Sequence, residues 1–210
     1  MRAAIVAALL ALAAGGALAQ TPDEQLFAAI DEGKALVAEG LVARGKVDVN
    51  ARNAERETPL HRAIERGMKE LAALLIRAGA SLGARSKNSE TPLHYAALYA
   101  EPDYVELLLG AGADPRLRND DGESPLHWAA LSGNTLTAQH LLEGGADANV
   151  RDLKGNSALH AAADGGHADL VRLLLAAGAD PKARNREGRS ALEMARAAGH
   201  AEVVKLIEKR

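Results

Sequence analysis

An all-α solenoid of stacked helix-turn-helix units, joined by short hairpin loops, is the fold class that this 210-residue sequence predicts. Three observations predict it. A four-residue signature recurs as "TPLH" at Thr58–His61 and Thr91–His94, "SPLH" at Ser124–His127, "SALH" at Ser157–His160 and "SALE" at Ser190–Glu193, always 33 residues apart. A fixed short period marks a stack of units, not one closed core. Glycines keep step with it, and 48% of the residues are apolar but only 2% aromatic, so Ala and Leu must fill the core.

The elements follow from one unit, Asn119 to Arg151, "NDDGESPLHWAALSGNTLTAQHLLEGGADANVR". Asp120, Asp121 and Gly122 form a turn signal, since Gly tolerates positive φ and Asp bonds its own backbone. Ser124 suits a helix N-cap, and Pro125 suits the first helical position, where its missing N–H costs nothing. A short helix runs to about Ser132 and Gly133 breaks it. A second runs to about Glu143 and ends at Gly144–Gly145, the expected glycine C-cap. "ADANVR" is extended and leads to the next turn. The same order returns elsewhere: Gly33, Gly67, Gly133, Gly166 and Gly199 separate paired helices, and Gly45, Gly79, Gly112, Gly145 and Gly178 end the second ones. Neither short helix can bury its apolar face alone, so neighbouring units must stack.

"DGESPLHWAALSG" (Asp121–Gly133) and "HADLVRLLLAAGAD" (His167–Asp180) resemble the ankyrin repeat pattern, and the resemblance runs from about Asp23 to Arg210. It implies antiparallel helix pairs with outward-pointing β-hairpins in a slightly curved solenoid. The units are an N-terminal cap (about 23–52), repeats 53–85, 86–118, 119–151 and 152–184, and a C-terminal cap at 185–210. The first unit lacks the signature and the last has Glu193 in place of histidine, changes that suit polar end-caps.

Residues 1–19 have a different character. Arg2, an apolar run and "ALA" at Ala17–Ala19 form the pattern of a secretory signal peptide cleaved after Ala19. The run is too short to span a bilayer. The expected product, 20–210, is exported without stable membrane insertion, to the periplasm in a Gram-negative bacterium and otherwise as a secreted protein, and is monomeric. Removing Arg2 from 25 basic residues leaves 24 against 28 acidic ones, a formal charge of −4, which does not recommend nucleic acid as a partner. With no cysteine, thiol catalysis and Cys metal sites are excluded.

His61, His94, His127 and His160 recur once per unit. Stacked helices sit roughly 8–10 Å apart, so histidines one unit apart cannot share a metal that needs ligands at about 2 Å. The family resemblance implies that each braces its hairpin by hydrogen bonds to backbone. No catalytic constellation or phosphate-binding loop stands out, so neither enzyme activity nor a cofactor is expected.

In such a stack the resemblance implies a protein partner at the hairpin tips and the exposed face of each first helix. The tip candidates include Glu90, Asp120, Asp121, Glu123 and Lys154; the helix candidates include Glu65, Arg66, Leu98, Tyr99 and Leu131. Leu98, Tyr99 and Leu131 would form a central apolar patch on the concave face, of the kind that anchors interfaces. The competing reading buries them between units. Tyr95 and Trp128 fall on the buried face by helical period. Arg52, Arg85, Arg118, Arg151 and Arg184 form a column, again 33 apart. It could bind an anionic ligand or cell-envelope polymer, or form a salt-bridged rim. Two local departures remain. Ala100 replaces an inter-helix glycine ahead of Pro102, and Thr137–Ala138 stand where the next unit has Leu170–Val171, which predicts the softest internal repeat.

Overall fold

The computed structural model describes residues 21–99 and 101–209; the predicted signal segment and Ala100 lie outside them. Twelve helices are found among the described residues, in six pairs. They are α1 Pro22–Asp31 and α2 Ala35–Ala43; α3 Pro59–Glu65 and α4 Lys69–Arg77; α5 Pro92–Tyr99 and α6 Pro102–Gly110; α7 Pro125–Ser132 and α8 Thr135–Glu143; α9 Ala158–Asp164 and α10 Ala168–Ala176; α11 Ala191–Ala197 and α12 Ala201–Glu208. The odd-numbered helices pack in succession into one layer. The second helices line up behind them, α2 on α4 and α6 through α12 on one another.

Burial repeats with the sequence period. Leu60, Leu93, Leu126 and Leu159 in the first helices are at most 1% exposed, and Leu75, Leu108, Leu141 and Leu174 in the second are fully buried. These leucines belong to one apolar core that runs along the whole stack. That is how helices of seven to ten residues become stable.

The start of each first helix is built by its signature. Thr58, Ser124, Ser157 and Ser190 sit at the N-cap in extended conformation. The third helical residue reaches back to the cap: His61 Nδ1 accepts the Thr58 amide at 3.1 Å, and the same bond recurs at His94, His127 and His160. Since Nδ1 accepts, the proton sits on Nε2, which donates to the carbonyl of Glu90, Glu123, Asn156 or Arg189, 29 residues on. Each histidine thus ties its own cap to the next hairpin. Burial pushes His61 and His94 down to a pKa of about 4 and lowers His127 and His160 as well, which keeps the rings neutral and this bonding intact.

Two expectations need correction. The hairpins are tight turns, not strand pairs: each closes by two main-chain bonds, such as Asn119 N–H to the Glu123 carbonyl at 2.9 Å and Gly122 N–H to the Asn119 carbonyl at 3.0 Å, and the one β-bridge among the described residues is Arg184 with Ser190. The turns also bond to each other, with Lys87, Asp120, Leu153 and Arg186 donating to carbonyls of the preceding turn. Nor is the first unit a polar cap throughout: α2, "ALVAEGLVA", is apolar nearly all round and exposes Leu36 at 84% and Val37 at 53%.

Gly133 and Gly166 combine two constraints. Both have positive φ, 72° and 73°, and a Cβ on either would lie 2.6 Å from the ring of His167 or His200 in the next unit. The inter-helix turns are therefore shaped for a histidine 34 residues further on.

Candidate partner-binding site

The arginines of the column bond main-chain carbonyls. Arg52 Nη1 donates to the Arg85 carbonyl, Arg85 to that of Arg118, and Arg151 to that of Arg184, each at 2.9 Å; Arg118 bonds the Arg151 carbonyl in the same way. The column is a ladder in which the first four guanidinium groups each tie their turn to the backbone 33 residues ahead. The salt-bridged rim expected from the sequence is found at one rung. Arg184 pairs with Glu193 at 3.0 Å. Glu193 also accepts the Ser190 amide at 2.7 Å, the bond that histidine makes in the other units. That amide, followed by Arg184, holds its carboxyl below the usual range. The sequence could not reveal this ladder, since its acceptors are main-chain carbonyls that every residue has.

The predicted contact residues divide into two sets. Glu65 and Arg66 are exposed but engaged locally, Glu65 with Arg62 and Arg66 with Asp31 at 3.8 Å. Glu90 is half-buried and accepts Ser86 Oγ at 2.8 Å. Asp120 and Asp121 are exposed at their turn. Leu98 is half-buried, so it adds less apolar surface than expected, and the Tyr99 side chain is outside the described residues. Leu131 is 66% exposed. It meets Glu123 and Lys154 in the lining of a pocket of about 340 Å³, set in the angle between the turns and the first helices α7, α9 and α11.

The pocket has a simple origin. One position of the first helix reads Arg62, Tyr95, Trp128, Ala161, Met194 along the stack. Four of these side chains are large and Ala161 is small, so a notch opens between Trp128 and Met194 with Ala161 as its floor. Tyr95 is buried, as its period predicts, with its hydroxyl donating to Glu57 Oε1 at 2.7 Å. Trp128 departs from the expectation of full burial. It packs against the core but is only half-buried, because the next unit offers only a methyl to cover it. Tyr95 stacks against it with ring centres 6.4 Å apart and planes at 30°, and the His94 ring meets it edge-on at 5.5 Å. The indole N–H donates to Glu123 Oε2 at 2.7 Å, which fixes the ring.

Acidic groups surround the notch. Glu123, Asp152 and Asp164 line it against the single ammonium of Lys154. None of the three carboxylates forms an ion pair among the described residues. Asp152 and Met194 were not among the residues singled out from sequence, and Trp128 was expected in the core and not at a site. The available signal was the alanine interrupting an otherwise bulky column.

Among the described residues no group of His, Asp and Glu could hold a metal ion, and no helix is long and apolar enough to cross a membrane. The family model for ankyrin repeats, three copies long, matches residues 26–119, 85–152, 101–185 and 126–210. No curated protein matches the chain.

Proposed function

The chain belongs to the ankyrin-repeat family, and from that premise we propose that it is a non-catalytic interaction module, exported from the cell that makes it, which holds a protein partner against the turns and first helices of its central units. Proteins built from these repeats generally mediate protein–protein interaction and are typically non-catalytic. One observation carries the reading to this face: Leu131, 66% exposed, stands beside a half-buried Trp128 at the mouth of a pocket. Exposed apolar and aromatic surface around a concavity, rimmed by polar groups, is the usual make-up of an interface anchor. The monomer binds through this face and takes no cofactor.

Site-specific photocrosslinking tests the face. A photoreactive residue at position 131, compared with one at Gln139 on the exposed side of α8, is expected to give a discrete protein adduct at 131 alone. No adduct at 131, or equal adducts at both, overturns the reading. Capture indifferent to position 131 and lost in moderate salt would move the site to the arginine column and to an anionic polymer. Export rests on residues 1–19, whose pattern fits a cleaved signal. N-terminal sequencing of the protein recovered from its producing cell tests it: a start at Gln20 supports export, and a retained Met1 removes it.

A further inference from the structure

The pocket's chemistry narrows what it can take. Its floor and walls, Ala161, Trp128, Met194 and Leu131, are apolar, while its rim carries three carboxylates against one lysine, a net charge of −2. Some of the acceptor capacity is already used: Glu123 Oε2 accepts from Trp128 and Asn119, and the Asp152 oxygens accept from Asn156. Among the described residues, Glu123 Oε1 and both carboxylate oxygens of Asp164 accept no hydrogen bond. Tyr95 stacks against Trp128 from the preceding unit, so the indole face toward Ala161 is the open one. The site therefore offers an apolar slot, one free aromatic face and unpaired negative charge at the rim.

We propose that this notch receives a single cationic side chain of the protein partner, an arginine or lysine. Its aliphatic stem lies over Ala161 between Trp128 and Met194, and its charged head meets Glu123 and Asp164. Long cationic side chains bury their methylenes on apolar surface while the head stays with polar partners. A cation over an indole face gains from the ring quadrupole, and a carboxylate on a guanidinium or ammonium makes a charge-assisted hydrogen bond. A neutral apolar side chain would use the slot and leave the carboxylates uncompensated. An acidic one would be repelled by them. The inference deepens the interaction reading above and rests on it.

Trp128 is the chain's one tryptophan, so its fluorescence reports on this pocket directly. The probe is a short glycine-flanked peptide carrying one arginine, titrated at constant ionic strength beside the same peptide with citrulline, which keeps the shape and removes the charge. The arginine peptide is expected to give a saturable change and the citrulline peptide none. Asp164→Asn, at an exposed position, is expected to weaken binding by at least about tenfold. Ala161→Leu fills the notch, and the bulky residues at the equivalent positions of neighbouring units indicate that a larger side chain fits there. With its fold verified by circular dichroism, it is expected to abolish the response. Equal responses to both peptides, an unchanged titration in folded Ala161→Leu, or no saturable change overturns the proposal. The two readings fail separately: an adduct at position 131 with a silent arginine peptide leaves the interaction face standing and removes the cation, while no adduct removes the face.

Discussion

Replacing Thr137 with valine is expected to stabilise the protein. Thr137 is fully buried on α8 and its hydroxyl oxygen has no hydrogen-bond partner. The equivalent positions of the other units hold Leu71, Tyr104, Leu170 and Val203, all buried, so the site is an apolar slot occupied by a polar atom. Valine keeps the β-branched shape and exchanges the hydroxyl for a methyl. An unsatisfied buried hydroxyl costs about 1–3 kcal/mol, and one buried methyl adds about 0.8 kcal/mol in the same direction. Allowing for partial relaxation around the hydroxyl in the wild type, a gain of about 2 kcal/mol is expected. The Asn134 cap is untouched, because its side chain accepts the residue's amide, not its hydroxyl. Urea unfolding followed by far-ultraviolet circular dichroism would give a higher midpoint at unchanged slope. Stability in a stack is a sum of unit and interface terms, so native-state hydrogen exchange should slow most in α8, by roughly 30-fold for 2 kcal/mol. An equal or lower midpoint would refute the reasoning and mean that the hydroxyl is satisfied or the slot does not tolerate the methyl. In the unmodified protein, α8 amides as protected as those of α6 and α10 would likewise refute this unit as the softest.

Three further outcomes follow from the ties between units. His61 and His94 are held near pKa 4 against an ordinary 6.5, so between those values the unfolded chain binds more protons and stability falls as pH falls. Linkage gives a loss of about 1 kcal/mol per histidine from pH 7 to 5.5; equal urea midpoints at the two pH values would contradict it. Gly133→Ala combines a positive φ with a methyl 2.6 Å from the His167 ring, and is expected to lower stability by at least about 2 kcal/mol; a thermal midpoint within error of wild type would rule that out. Arg85→Met removes one rung of the ladder, the 2.9 Å bond to the Arg118 carbonyl, and is expected to cost about 1 kcal/mol. Unlike an exposed ion pair, this loss should be nearly independent of salt, so a strong salt dependence would show that charge, not the carbonyl bond, is what was lost.

Much of the fold is legible in the sequence because its rules are local. Proline after Ser or Thr, and glycine at the end of each apolar run, act within a single turn of helix. They place the helix boundaries without any knowledge of what packs alongside. The features that the sequence concealed are relations between units. Arg85 looks like a rim charge until the Arg118 carbonyl is seen beside it, and Trp128 looks like core until Ala161 fails to cover it. The site shows the same divide: Glu123, Leu131 and Lys154 were recognisable by register, whereas the notch depends on the size of a side chain 33 residues from the tryptophan.

Glu193 has a consequence for how such an array changes length. Repeats 53–85, 86–118 and 119–151 each present a histidine donor and an arginine donor to the backbone that follows, and repeats 86–118, 119–151 and 152–184 receive both from the unit before. A duplication or deletion of one whole 33-residue module between these points rejoins matching halves and remakes both of these bonds. Glu193 cannot pass the histidine bond forward, since a carboxylate only accepts, and it has already captured Arg184. A module copied inside the array therefore inherits both ties, whereas a unit stacked on the one that carries Glu193 would receive no histidine bond from it.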